Sequence, residues 1–184
     1  MQTLAAQTKQ RAPKEIAVGI NECRLAKHGE RLVARDVLAD VVLAIQVPSA
    51  GFAAMLRFSP PEERGVPRKQ IETLWSFADQ AIELLFQSIR SMNIAKEAIT
   101  VSAIGGAELA GRTFGRGKQL ALAVRRSLWR HGVILGGNDL GGTQTRLVWL
   151  ESASGRLIVR STSAKLMTVD EMQYHQETQQ HKAS

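Results

Sequence analysis

The sequence predicts an α+β fold of mixed strands and two main helices. Three observations predict it. A continuous apolar run from Asp40 to Val47 is followed, after Pro48-Ser49-Ala50-Gly51, by a second β-type run ending at Phe58, which reads as a hairpin. Helical apolar spacing occupies one segment between Ile71 and Met92 and another from about Lys118 to His131. Short β-type runs then return after a glycine-rich corner, so strands come before, between and after the helices, unlike a regular parallel barrel.

At 184 residues the chain fits one domain, and a domain of that size buries about 70% of its unfolded surface without metal or disulfide. Hydrophobic residues make up 44% and aromatics only 5%, so the core is expected to be Val, Leu, Ile and Ala. Residues 1–14 lack periodicity and are expected to form a flexible tail, 15–161 the folded domain, and the Gln-rich residues 162–184 a second flexible tail.

Within the domain, Ile16 to Ile20 has the character of a first strand, with Cys23 just beyond it, and Arg31 to Ala34 of a short second one. The run Val41 to Ile45 is apolar on both faces and predicts a strand buried on both sides. Ser59 to Pro67 is an expected exposed loop. In the first helix Ile71, Leu74, Trp75, Ala78, Ile82, Leu85, Ile89 and Met92 share a face, and Ser76 to Asp79 has capping-box spacing that could mark its start. Ala98 to Ile104 is the next strand, ended by Gly105-Gly106. The second helix turns Leu120, Val124 and Leu128 inward and stops at Gly132. Thr145 to Leu150 and Arg156 to Arg160 make a final hairpin about Glu151 to Gly155.

The most specific stretch is Ile134 to Arg146, with glycine pairs at 136–137 and 141–142 around Asn138-Asp139-Leu140. It reads as a strand, a tight corner and a return strand. A phosphate-cradling loop needs a helix and a Lys-Ser/Thr pair after the glycines, and β-type sequence follows instead.

Net charge is +7, but the basic residues are dispersed among acidic ones from Lys9 to Lys182, with no aromatic stripe. That favours a solvated basic surface able to meet an acidic protein over a nucleic-acid binder, which is kept as a weaker alternative. No apolar run approaches the ~20 residues of a membrane span, and residues 1–14 hold no apolar signal core. With a single cysteine, Cys23, a cytoplasmic protein without membrane insertion is expected. No His, Cys, Asp or Glu spacing calls for a metal, and nothing calls for a cofactor.

Asp139-Leu140-Gly141-Gly142-Thr143 to Arg146, with Ala103-Ile104-Gly105-Gly106-Ala107 upstream, Gly155 to Arg160 downstream and Phe77-Ala78-Asp79 with Ala81 in the first helix, resembles the chemoreceptor glutamine deamidase family, CheD. The resemblance implies a layered sandwich of two β-sheets with the helices packed outside. It implies that Gly105, Gly106, Asp139, Gly141, Gly142, Thr143 and Arg146 form a binding region. It also implies two partners, the cytoplasmic region of a chemoreceptor or a CheC-type phosphatase.

The resemblance further implies a cysteine nucleophile at the end of a Thr-Leu-Gly-Leu-Gly-Ser-Cys segment and a histidine in a following Gly-Gly-Met-x-His segment. A thiolate attacks a glutamine side-chain carbon, histidine protonates the departing ammonia, and water resolves the thioester. Laid on this chain, the threonine falls on Ala34, the nucleophile on Asp40 and the histidine on Ala54. All three are degenerate, and between His28 and His131 the chain has no histidine. A catalytically inactive scaffold follows as the expectation. A relocated dyad of Cys23 and His28, which would make an active deamidase, is the alternative. Its plainer counterpart is an apolar residue at a strand end and a surface histidine in a turn.

Overall fold

The computed structural model describes residues 12–59, 70–108 and 115–163. Nine strands lie among them: β1 (Lys14–Ala17), β2 (Glu22–Ala26), β3 (Glu30–Val37), β4 (Val41–Val47), β5 (Phe52–Phe58), β6 (Thr100–Gly105), β7 (Leu135–Leu140), β8 (Gln144–Glu151) and β9 (Leu157–Ser163). Two α-helices, α1 (Gln70–Ser91) and α2 (Arg116–Arg130), complete the described part, with 3₁₀ turns at Pro48–Ala50 and Lys96–Ala98. The expected loop from Ser59 to Pro67 falls almost wholly outside the described residues.

The strands form two mixed sheets. One has the order β1-β3-β8-β9 and the other β2-β5-β4-β6-β7. β4 and β5 form the expected hairpin, with Val41 opposite Phe58 and Val47 opposite Phe52. β4 also pairs with β6 from Val41–Gly105 to Gln46–Thr100, which makes it the central strand of its sheet. A central strand between two apolar layers must be apolar on both faces. Val41, Leu43 and Ile45 accordingly enter a core with Ile82, Ile89, Leu120, Val124 and Leu128 of the helices. Val42 and Ala44 enter a second core with Leu32, Ala34, Val148 and Leu150 of the other sheet. The layers are therefore sheet, sheet and helix pair, the α+β sandwich expected from the resemblance.

Several elements differ from the sequence reading. Cys23 lies within β2, an edge strand with three exposed residues out of five, and such half-solvated strands leave no apolar signature. The segment Leu135–Leu140 and its return β8 do not pair with each other. β7 runs parallel to β6, with Ile104 beside Asp139, whereas β8 pairs with β3 and β9 in the other sheet. The corner thus carries the chain from one sheet to the other. Gly136 and Gly137 belong to the strand, not the corner: a Cβ at Gly137 would come within 2.8 Å of Ser102 Oγ.

α1 begins at Gln70, so Ser76 lies inside it and is not its start. Ala78, Ile82, Leu85 and Ile89 are buried as expected, while Met92 is exposed because the helix has ended one residue earlier. α2 ends as its sequence predicts. Gly132 takes φ +63, its N–H donates to Trp129 O, and Val133 N–H donates to Leu128 O, the paired bonds of a Schellman stop.

Candidate functional site

Three backbone turns meet at one end of the sandwich. The first, Leu38 to Asp40, links β3 to β4. The second follows β6 at Gly105 to Glu108, and the third is the corner at Gly141-Gly142. Gly106 N–H donates to Asp40 O at 2.8 Å and Ala107 N–H to Leu38 O at 2.7 Å. Gly141 N–H donates to Gly105 O at 2.8 Å and Glu108 N–H to Gly142 O at 2.9 Å. Gly105 sits at φ +115 against the Asp40 carbonyl, where any Cβ would collide with that backbone. The sequence-expected residues Asp40, Gly105, Gly106, Gly141 and Gly142 are therefore brought together.

Asp40 is 6% exposed. Its Oδ1 accepts the Leu38 N–H at 2.9 Å and its Oδ2 accepts from Nε of Arg57. Arg57, 7% exposed, stands on β5 opposite Val42, so Asp40 is its diagonal neighbour across the hairpin. Its remaining nitrogens point at Val18 O and Asp36 O, each at 3.4 Å. On β5 the alternation places Ala53 and Met55 in the inter-sheet core and Ala54, Leu56 and Phe58 in the helix-side core. Arg57 continues the inter-sheet row, and with Asp40 it caps the end of that core as a buried ion pair.

The second pair is Asp139 and Arg146. Arg146 Nε donates to Asp139 Oδ2 at 2.9 Å and Nη2 to Oδ1 at 2.8 Å. Nη2 also reaches Gly141 O at 2.8 Å and Nη1 reaches Gln144 O at 2.9 Å. A guanidinium fork that satisfies a carboxylate and two turn carbonyls at once fixes the corner's shape. Hydrogen bonding to Arg146, and then its charge, hold the Asp139 carboxyl below the usual carboxylate range against the opposing effect of burial. Thr143 is exposed in the bend beside this pair.

Next to the corner, Glu108 closes the N-terminus of α2. Its Oε1 accepts the N–H of Gly115 at 2.8 Å and of Lys118 at 3.3 Å. The helix has no side-chain cap of its own, so a glutamate from the preceding turn supplies one. Gly117 lets α2 approach, since a Cβ there would strike the Gly106-Ala107 backbone.

Other expected residues are elsewhere. Ala34 is buried between the sheets, opposite Val148 and next to a register shift on β3. Ala54 is not brought to Asp40. It pairs with Ile45 and Leu25, partway along the hairpin, and its side chain lies in the helix-side core. Cys23 lies within β2, opposite Leu56, and His28 lies in the turn beyond the end of that strand, beside Gly51. Desolvation pushes the Cys23 thiol up, the reverse of an activated nucleophile. This arrangement does not favour the relocated dyad. Among the described residues no three His, Cys, Asp or Glu converge on a metal position.

Sequence reasoning missed Arg57, although a signal was present. In the pattern Gly-Gly-Met-x-His, the segment Ala53-Ala54-Met55-Leu56-Arg57 keeps the methionine at Met55 and ends on Arg57. The register that chose Ala54 passed over that methionine. Asp36 supports the Asp40 end of the alignment: it falls on the first glycine of Leu-Gly-Leu-Gly and takes φ +53, the left-handed region that glycine favours.

The pair has little chemistry available. A carboxylate whose two oxygens are engaged by a backbone N–H and a buried guanidinium presents neither a nucleophile nor a base to an outside amide. A guanidinium has no acceptor lone pair and does not exchange a proton as imidazole does.

Comparison with known proteins agrees with the resemblance read from the sequence. Residues 60–161 match the model of the family described as CheD chemotactic sensory transduction. The chain is 33% identical over 147 residues to the probable chemoreceptor glutamine deamidase CheD of Solibacter usitatus, covering 78% of this chain and 87% of that protein. It is 28% identical to the probable chemoreceptor glutamine deamidase CheD 1 of Syntrophus aciditrophicus, over 83% and 97% of the two chains. Against the chemoreceptor glutamine deamidase CheD of Thermotoga maritima identity is 26%, over 78% and 89%.

Proposed function

This chain belongs to the CheD family of chemotaxis proteins, and on that premise we propose that it is a binding scaffold of a chemosensory system that no longer deamidates glutamine. One observation supports the reading: Asp40, on which the resemblance lays the nucleophile, is closed into a buried ion pair with Arg57. Deamidation needs a thiolate that a substrate glutamine can reach and a neighbour that hands a proton to ammonia. Here the corresponding pair is closed off by its own hydrogen bonds. The corner built by Asp139, Gly141, Gly142 and Arg146, together with Gly105 and Gly106, keeps its family residues, which supports retention of a partner surface. The partner is the cytoplasmic region of a chemoreceptor or a CheC-type phosphatase.

The test measures ammonia release from receptor fragments carrying glutamine, with the Thermotoga maritima deamidase run alongside. No release above buffer is expected, and Cys23→Ala should change nothing. In parallel, the purified protein should retain receptor fragments or the phosphatase in a pull-down. Time-dependent ammonia release abolished by Cys23→Ala would overturn the scaffold reading, and retention of neither partner would overturn the binding role.

A further inference from the structure

We propose that the outer face of α2 is a docking surface for an acidic helix of a partner protein. This goes beyond the loss of deamidation, because α2 packs on the helix-side core whereas Arg57 continues the inter-sheet row on the other face of the five-stranded sheet.

The inward side of α2 is already spent. Leu120, Ala121, Ala123, Val124, Ser127 and Leu128 are buried, and Leu120, Ala123, Val124 and Leu128 enter the core shared with the sheet and α1. Lys118, Leu122, Arg125 and Trp129 line the opposite side with spacings of four, three and four residues, the spacing by which one helix presents a seam to another. Two of these positions are apolar and far out in solvent, Leu122 at 56% and Trp129 at 79% exposure. The alternate positions are cationic, and Arg126 flanks them. From Arg116 to Arg130 the helix holds no acidic residue.

This combination selects among occupants. A lipid surface takes up a helix by its continuous apolar face, and that face of α2 is committed to the sheet. A nucleic-acid backbone would meet the cations but leave Leu122 and Trp129 without an apolar complement. A helix with apolar residues opposite Leu122 and Trp129 and carboxylates opposite Lys118 and Arg125 answers both features, with tryptophan and arginine as anchors.

Two fluorescent helical peptides of about four heptads test it by anisotropy, one with alternating Leu and Glu on its seam and one with Leu and Lys. Phosphatidylglycerol vesicles and a DNA duplex are titrated in the same buffer. The acidic peptide is expected to bind about tenfold or more tightly than the basic one, weakening as salt rises. Arg125→Glu and Trp129→Ala should each reduce its affinity by about tenfold, while Arg160→Glu, on the other sheet, should not. Both substitutions fall on exposed positions, and circular dichroism checks that the variants fold. The proposal is overturned if the acidic peptide does not bind, if binding ignores both substitutions, or if vesicles or duplex bind more tightly than that peptide.

Discussion

Asp40–Arg57 and Asp139–Arg146 are chemically the same pair, set at the same end of the sandwich, yet their carboxylates live in different surroundings. The Asp40 side chain is 7% exposed and that of Asp139 is 45% exposed, while both arginines are buried. Asp139 keeps contact with water, and its arginine spends two further bonds on turn carbonyls, so the pair shapes a surface. Asp40 faces only protein, and the turn, the hairpin and the guanidinium converge on it. The difference separates two uses of one kind of pair: the exposed one holds the corner between the two sheets in shape, and the enclosed one closes the end of the inter-sheet core.

The largest effect is expected from breaking the enclosed pair on one side. Asp40→Ala leaves a buried guanidinium with two long contacts to carbonyls and no counter-charge, a situation that typically costs about 3–5 kcal/mol. The double variant Asp40→Val with Arg57→Met should recover most of that loss, because burying apolar groups of similar volume removes the desolvation cost along with the attraction. Urea unfolding of the two variants measures both. If the single variant unfolds at the wild-type midpoint, the carboxylate is not needed to hold the arginine, and the contrast between the two pairs collapses.

Much of this arrangement was legible in the chain. The apolar run of β4, its return as β5, the inward faces of both helices and the glycine stop after α2 follow from period and turn chemistry, since these elements bury the faces their sequences mark. The strand before the corner was legible, but its partner was not: Leu-Gly-Gly-Asn-Asp-Leu has little strand propensity of its own, and β7 pairs with the parallel edge of β6, not with its return β8. At the site, Asp40 and the two glycine pairs came from motif spacing, and Arg57 did not. A single arginine inside Phe52–Phe58 and a single aspartate heading Val41–Val47 were a hint, because two charges at the open end of one apolar hairpin can be buried together only by meeting.

A smaller loss is expected at the corner. Arg146→Ala removes the donors to Asp139 and leaves the carbonyls of Gly141 and Gln144 without their bonds. Partial access to water offsets part of this, so a loss of about 2 kcal/mol is expected. Arg146→Lys should restore only a fraction, since an ammonium cannot span the carboxylate and both carbonyls in the fork's geometry. If the lysine variant matched wild type in thermal unfolding, charge alone would hold the corner and the geometric reading would fail.

The smallest effect is a pH dependence peculiar to the exposed pair. Asp139 has its folded-state pKa lowered, by hydrogen bonds from Arg146 and then by its charge. A lowered carboxylate binds its proton less readily folded than unfolded, so its stabilisation is complete above the unfolded value of about 4 and disappears as pH falls through the folded one. With 45% of that side chain exposed, solvent screening keeps the contribution below about 1 kcal/mol. Glu22, Glu30 and Glu83 are also held low and will titrate in the same range, so the acid limb of the wild type alone is not diagnostic. The informative quantity is the difference in urea midpoint between wild type and Asp139→Asn, which keeps the shape and removes the charge. That difference should be present at neutral pH, shrink as pH falls below about 4, and be reduced by molar salt at neutral pH. A difference that persists unchanged in acid would mean that Arg146 recognises the side chain through hydrogen-bond geometry alone, and the electrostatic half of the contrast with Asp40 would have to be given up.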